Sequence, residues 1–344
     1  MSAAGPIGVL VMAYGTASGP DDIERYYTDI RGGRTPAPEH LRELEERYAA
    51  IGNVFPLLDT TAAQAEGLVG ALNREAEATG DERRFAAYLG MKHSPPFIPE
   101  GVERMRSDGV ERAVGILMAP HWSGMSVETY VERVEQAVAA QGGGPAFTYV
   151  RSYHDHPGFV GFLVSRVAEA LGSFTAEQLE RPAVIFSAHS LPVRTVADGS
   201  LRCKYCDCDD SCRYRDGLQE TADLVAGRLG GDDPLFSRPQ SWRIAWQSAG
   251  RTADPWWGPP VEDVIRELAD EGHTGVLVCS AGFVADHLEV LYDLDIEARA
   301  VADAAGIHFA RTRMPNADPA YLEVVARVVM DHLLEIGEEV GVAR

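Results

Sequence analysis

Positive charge is scarce in this chain. Its 344 residues carry 31 lysines and arginines against 52 aspartates and glutamates, a formal net charge of −21. So acidic a surface argues against nucleic acid and anionic membranes as partners, because both are held by basic patches. Long apolar runs are missing too. No stretch reaches the ~18 residues that span a bilayer, so no membrane insertion is expected. Met1–Pro6 has neither a basic start nor a long apolar run, so no secretory signal is visible and a cytoplasmic protein is expected. Neither G-x-G-x-x-G after a strand nor G-x-x-x-x-G-K-[ST] occurs, which removes a nucleotide as the expected ligand.

Cysteine is rare and unevenly placed. Four of the five fall within ten residues: Cys203, Cys206, Cys208 and Cys212. In a reducing compartment such crowding points to metal ligation rather than disulfides. Cys279, inside the apolar run Gly275–Cys279, reads as a buried core thiol.

What remains is ordinary globular composition, with a length that suits about two domains. Strand candidates Ile7–Met12, Phe85–Leu89 and Ala113–Met118 each run into polar or aromatic residues. Helical patterns separate them at Asp21–Ile30, Pro38–Ile51, Thr61–Ala78 and Ser126–Ala140. Gly142-Gly143-Gly144-Pro145 then breaks the pattern and is the best candidate boundary. The second half repeats the arrangement with strand candidates Phe147–Val150, Ala183–Phe186, Arg243–Trp246 and Val276–Val278. Helical patterns here include Gly158–Leu171 and Pro260–Glu271. This alternation predicts an α/β protein of two doubly wound, Rossmann-like parallel sheets facing across a cleft. The expected domains are 1–142 and 145–317, with a last helix, about 318–340, crossing back onto the first. Leu322, Val325, Val329, Leu333 and Ile336 would form that helix's apolar stripe.

Three groups of residues carry chemistry. His189 follows the buried run Ala183–Phe186, at the carboxyl end of a strand where open α/β sheets place ligands. A strand-end histidine satisfied by hydrogen bonds is the plainer reading. In Gly282–Glu297, the residues Asp286, Glu289, Asp293 and Glu297 are spaced three, four and four, so on a helix they share one face. No lysine or arginine lies between Gly272 and Ala298 to offset their repulsion. A divalent cation would offset it, although most acidic stripes are simply solvated. Tyr14 ends the first strand, and Arg25, Arg31, Arg34, Arg42 and Arg47 follow, with Tyr48. Such local basic density in an acidic chain points to a carboxylate-rich small molecule. Val54, Phe55, Leu57, Leu58, Trp122 and Met125 could form the lip of a pocket for a large flat ligand.

Together these stretches resemble the ferrochelatase family, which inserts Fe(II) into a porphyrin. The resemblance covers nearly the whole chain. It rests on VMAYGT (Val11–Thr16), ERYYTDIRGGR (Glu24–Arg34), FSAHSLP (Phe186–Pro192), DPWWGP (Asp254–Pro259), GFVADHLEVLYDLDIE (Gly282–Glu297) and RMPNADP (Arg313–Pro319). It implies two doubly wound domains with the porphyrin between them. His189 and Glu289 would flank the macrocycle as the catalytic pair, with Asp293 and Glu297 as an outer metal site or delivery path. Tyr14 would lie on the opposite face and ligate the product iron, while Arg31, Arg47, Tyr48 and Tyr130 would hold propionates.

Tyr14 in the first motif is similar to the bacterial branch that metallates coproporphyrin III. Protoporphyrin IX, giving protohaem, is the alternative substrate. Phe55 stands where relatives often have a serine, and Gly32 replaces a second arginine seen in some. The implied partners are coproporphyrin III and Fe(II), with handover of product to a coprohaem decarboxylase; the chain would act as a monomer. The C-x2-C-x-C-x3-C group resembles the internal [2Fe–2S] site of some bacterial members. Four thiolates suit structural zinc as well, but the single residue between Cys206 and Cys208 is unlike zinc-ribbon knuckles. Two other readings are an iron–sulfur redox or sensor protein and a cobalt or nickel chelatase. The pairing of HLEVLYD with FSAHSLP argues against both.

Overall fold

Ile7–Ala13 (β1) buries all seven of its side chains, the mark of a strand covered on both faces of a parallel sheet. The computed structural model describes residues 5–206, 208, 212–229, 242–250 and 252–339. After β1 come α1 (Ile23–Ile30), α2 (Pro38–Ala50), α3 (Leu57–Thr79), β2 (Phe85–Met91), α4 (Ile98–Ser107), β3 (Arg112–Leu117), α5 (Thr129–Ala140) and β4 (Ala146–Val150). Next are α6 (Pro157–Leu171), β5 (Pro182–His189), β6 (Val193–Thr195), β7 (Leu201–Cys203), α7 (Arg213–Leu229), β8 (Trp242–Gln247) and α8 (Val261–Asp270). The chain closes with β9 (Gly275–Cys279), α9 (Leu288–Leu291), α10 (Arg299–Ala305), β10 (His308–Arg311) and α11 (Pro319–Glu339).

The described residues of 1–118, 126–153 and 315–344 form one compact unit, and those of 119–125 and 154–314 a second. The first is built on a parallel sheet of order β2-β1-β3-β4, in which Gly8 of β1 pairs with Ala86 on one side and Ala113 on the other. Helix α11 packs against α3 of this unit. Leu322, Val325 and Val329 of its stripe are buried, and Tyr321 shares a buried hydroxyl–hydroxyl hydrogen bond with Tyr153 at 2.9 Å.

The second unit has a parallel sheet of order β10-β9-β5-β8. Helix α8 buries Val261, Val264, Ile265 and Leu268 against Ile185, Val276 and Val278, an i, i+3, i+4, i+7 face on a strand surface. β5 runs between β9 and β8, so the chain leaving its carboxyl end emerges amid the sheet.

Several elements differ from the sequence reading. β4 pairs in parallel with β3, so the glycine break at 142–145 is a turn from α5 into the first sheet rather than the start of the second. β5 ends at His189, and just past Pro192 pairing resumes in the antiparallel hairpin of β6 and β7. Gly282–Glu297 is not one α-helix. α9 has a single turn, and Asp293–Ala298 winds as a π-helix in which the Glu297 amide donates to Tyr292 O at 3.0 Å. Among the described residues, no helix is long and apolar enough to cross a membrane.

Candidate functional site

His189 is the last residue of β5. Its Nδ1–H donates to the carbonyl oxygen of Ser190, which turns Nε2 toward Glu289 Oε1 at 3.6 Å. Glu289 is held in turn by the ends of three strands. Ser187 Oγ of β5 and Ser280 Oγ just past β9 donate to Gln247 Oε1 at 2.9 and 3.1 Å. The Gln247 side chain, at the end of β8, then donates to the Glu289 carbonyl oxygen at 2.9 Å. Gly282 lets the loop after β9 reach this layer: a Cβ there would come within 2.8 Å of Ala188 Cα. The second Glu289 oxygen lies 3.6 Å from His287 Nε2, and His287 Nδ1–H donates to Ala285 O at 2.9 Å. One carboxylate thus sits between two imidazoles.

Burial penalises charge on both members of the first pair, but their mutual attraction outweighs it. His189 is raised to about 9, and Glu289 is held well below the ordinary carboxylate range. Their side chains stay 33% and 34% exposed, so the pair opens toward solvent. At neutral pH it rests as imidazolium and carboxylate.

The acidic stretch beyond is more divided than its spacing implied. Asp293 is buried and accepts from Ser248 Oγ; Ser248 holds a left-handed φ of 59°. Glu297 is half-buried, and together with burial its charge raises the pKa of Glu262 on α8. Asp286 leaves the series altogether. Arg311 of β10 donates to it at 3.1 Å and to both oxygens of Asp295 at 2.7 and 2.8 Å. The positive charge missing from Gly272–Ala298 is therefore supplied from β10, and no cation is required at Asp286. Among the described residues, no three His, Cys, Asp or Glu side chains are grouped so as to hold a metal ion.

The remaining expected binding residues lie in the first unit. Tyr14 is 43% exposed, with its ring 4.6 Å from that of His93. His93 Nδ1–H donates to Asp29 Oδ1 at 2.7 Å. Arg31 lies over the Tyr27 ring at 5.8 Å, and its buried Nε has no hydrogen-bond acceptor. Arg47 is half-buried. Tyr48 is buried, with its hydroxyl 3.3 Å from Thr16 Oγ1 and its ring stacked on Phe55 at 4.5 Å. Phe55 thus gives Tyr48 an aromatic wall where a serine would offer a hydroxyl. Tyr130 is buried, which pushes its phenol well above the usual value. Lys92 Nζ lies 5.0 Å from that ring and donates to Thr129 Oγ1 at 2.8 Å. Burial lowers Lys92 to about 8, with Arg133 adding to the effect.

The cysteine segment is described except at positions 207 and 209–211. Cys203, Cys206 and Cys212 are buried, Cys208 is half-buried, and none forms a disulfide. Cys203 Sγ lies 3.0 Å from Cys212 Sγ. Two N–H groups point at these sulfurs: the Gly124 amide at Cys206 and Trp257 Nε1 at Cys203, each at 3.3 Å. Cys203 keeps its proton by hydrogen-bonding to Cys206 and Cys212, whose pKa values fall toward thiolate, to about 7 and about 6. Thiols beside N–H donors have the chemistry of metal ligands, but as placed these four form no group able to hold a metal ion. Cys279, by contrast, is buried in β9 and pushed up to about 12 by burial.

A family model described as Ferrochelatase matches residues 6–333. The chain belongs to the ferrochelatase family. As a ferrochelatase-family member it is a metal-chelating enzyme. It is 43% identical over 333 residues to the coproporphyrin III ferrochelatase of Anoxybacillus flavithermus, covering 96% of this chain and 98% of that one. It is 42% identical to the coproporphyrin III ferrochelatase of Bacillus subtilis, over 95% of this chain and 98% of that one. Among solved structures it is similar in fold to SirB from Bacillus subtilis with Fe3+ (TM-score 0.53, 11% identity, 95% of each chain). It is also similar to CbiX, described as the terminal enzyme of sirohaem biosynthesis in denitrifying bacteria (TM-score 0.51, 12% identity, 94% of this chain and 98% of that one). The expected doubly wound α/β class is the one observed.

Two parts of the candidate site in this ferrochelatase-family chain escaped the sequence reading. His287 lay inside the quoted DHLE run, and a second imidazole two residues from Glu289 was the available signal. Gln247 could be found only by knowing that β8 ends beside β5.

Proposed function

We propose that this chain inserts Fe(II) into coproporphyrin III to give Fe-coproporphyrin III, coprohaem, in haem biosynthesis. The observation that carries the reading is the imidazole–carboxylate pair, His189 Nε2 to Glu289 Oε1 at 3.6 Å, open to solvent at the end of a parallel sheet. The names of the similar proteins support the substrate.

Metallation exchanges two pyrrolic protons for one Fe(II), so the site must accept two protons and help strip water from the metal. Glu289, ionised at rest, is ready to take a proton or meet the cation at once. His189 must first give up its own proton before it can act as base or ligand. The approach of Fe(II) favours that loss, because the cation replaces the proton's charge beside Glu289. His287, on the far oxygen of Glu289, offers a second acceptor through which a proton can leave. Asp293 and Glu297 serve in this reading as the outer site that draws iron in.

In the first unit, Arg31, Arg47, Tyr48 and Tyr130 are the propionate-binding residues of this reading, and Tyr14 the ligand to product iron. The unsatisfied buried Nε of Arg31 supports an arriving carboxylate. Coprohaem keeps all its propionates, so protohaem formation needs a separate decarboxylating step, which supports handover of the product.

We assign Cys203, Cys206, Cys208 and Cys212 to a [2Fe–2S] cluster, whose chemistry when bound would be one-electron transfer. The C-x2-C-x-C-x3-C spacing and the two N–H donors support this. Brown protein whose charge-transfer absorption is lost in Cys206→Ser is the expected result; colourless protein containing one zinc would overturn it.

Turnover of Fe(II) with coproporphyrin III and with protoporphyrin IX, measured side by side, tests the main reading. Preference for coproporphyrin III is expected. Acceptance of protoporphyrin IX alone would overturn the substrate, and no metallation of either would overturn the function.

A further inference from the structure

One residue reaches toward both members of the His189–Glu289 pair. The main-chain oxygen of Gln247, the last residue of β8, accepts the Ser190 amide at 2.8 Å, and the Ser190 carbonyl oxygen in turn receives Nδ1–H of His189. From its side chain, Gln247 Nε2 donates to the Glu289 carbonyl oxygen at 2.9 Å. Gln247 is buried, and so are Ser187 and Ser280, whose hydroxyls donate to its Oε1 at 2.9 and 3.1 Å. Those two donors fix which way the carboxamide faces. Reversed, it would set its oxygen against the Glu289 carbonyl oxygen, two acceptors with no proton between them. The backbone at Glu289 needs such an anchor. α9, Leu288–Leu291, is a single turn, too short for its own hydrogen bonds to hold it. Val290 is buried in the core on the same turn, but apolar burial is non-directional and leaves the turn free to slide and rotate.

We infer that Gln247 is a positioning residue whose carboxamide sets the approach of Glu289 to His189. The inference rests on the proposed catalytic roles of that pair. The carboxamide touches neither reacting group. It holds the main chain at Glu289, and the carboxylate goes where its backbone goes. The other arm of the same residue, its main-chain oxygen, holds the Ser190 peptide on which the imidazole leans. Both members of the pair are thus referred to one point at the end of β8, and their 3.6 Å separation is built from hydrogen bonds of defined length and direction. Metal insertion needs the carboxylate where the cation and the pyrrolic protons pass, and a misplacement of about 1 Å costs on the order of 10²-fold in rate. Porphyrin binding, assigned in the proposed function to Arg31, Arg47, Tyr48 and Tyr130, does not pass through Gln247. Loss of the carboxamide should therefore be felt in kcat and not in the porphyrin KM.

Gln247→Met keeps the length of the side chain and the main-chain oxygen and removes both ends of the carboxamide. Ser187 and Ser280, whose hydroxyls lie 3.3 Å apart, can then pair with each other. In full-length protein, the kcat for Fe(II) insertion into coproporphyrin III should fall roughly tenfold with the porphyrin KM unchanged, as for groups that orient a metal ligand. The same substitution in a Glu289→Gln background separates positioning from a role in the fold. There it should change kcat by less than about twofold, because the charge it positions is already gone. Equal losses in both backgrounds, or wild-type kcat in Gln247→Met, would overturn the inference. Should Gln247→Met fail to fold, Ser187→Ala combined with Ser280→Ala leaves the carboxamide and removes what orients it. That variant should lose kcat roughly threefold, again only with Glu289 intact, and wild-type kcat there overturns the inference. A wild-type protein that metallates neither porphyrin sinks the catalytic reading itself. An active wild type with unaffected variants sinks the positioning role alone.

Discussion

The two sheets have the same form, four parallel strands each, yet their carboxyl ends are furnished in opposite ways. In the second unit, Ser187, Gln247 and Ser280 form a buried polar layer beneath Glu289, with an imidazole on either side of that carboxylate. In the first, Tyr14 presents an exposed phenol, and Tyr130 and Lys92 a phenol and an amine whose charge burial disfavours. In the proposed function, one end meets a cation and protons and the other a flat apolar body with acidic edges. Equivalent frameworks thus leave chemistry to the few residues just past each strand.

The largest expected break in this contrast comes from Glu289→Gln, which keeps the shape and removes the charge. The kcat for coproporphyrin metallation should fall by about 10²–10³-fold, with His189 losing most of the upward pull on its pKa. A loss under threefold would mean the polar layer serves only the fold. Arg31→Ala should act on the other unit instead, raising the porphyrin KM roughly tenfold while leaving kcat largely intact; a kcat loss with unchanged KM would contradict propionate binding.

Glu289 and His189 also set a pH signature in the substrate-free protein. His189's pKa is raised in the folded state, so its contribution to stability is full below about pH 6.5 and fades as pH rises through about 9. Glu289's is depressed, so its contribution is full above about pH 4.5 and is lost as pH falls below that. Urea melts of wild type and His189→Ala should differ most between those limits and converge in alkali. The smallest effect belongs to Lys92. Its pKa is about 8 when folded and 10.5 in the open chain, so between these values the unfolded state binds more protons and stability rises with pH. Lys92→Met should flatten that rise and, at neutral pH, be about 1 kcal/mol more stable. An unchanged slope would show the amine to be ordinarily solvated.

Much of this arrangement is legible in the sequence because it is local. β1, β5 and β9 are short unbroken apolar runs, and His189 is placed by the end of one of them. What needed the fold was contact between distant segments. Arg311 neutralises Asp286 and Asp295 from a four-residue strand too short to register as a pattern. Gln247 matters only because β8 lies beside β5. The glycine break before β4 resembles a linker in sequence, since a tight turn and a linker use the same residues.

The winding over Asp293–Ala298 carries one residue more than an α turn of the same reach would use. A gene lacking that single codon would still encode a helix there. Downstream side chains would turn by about 100° around its axis, carrying Glu297 away from its present bearing on Asp293. The bearing of these two acids on each other is therefore written in the spacing between them as much as in their identity.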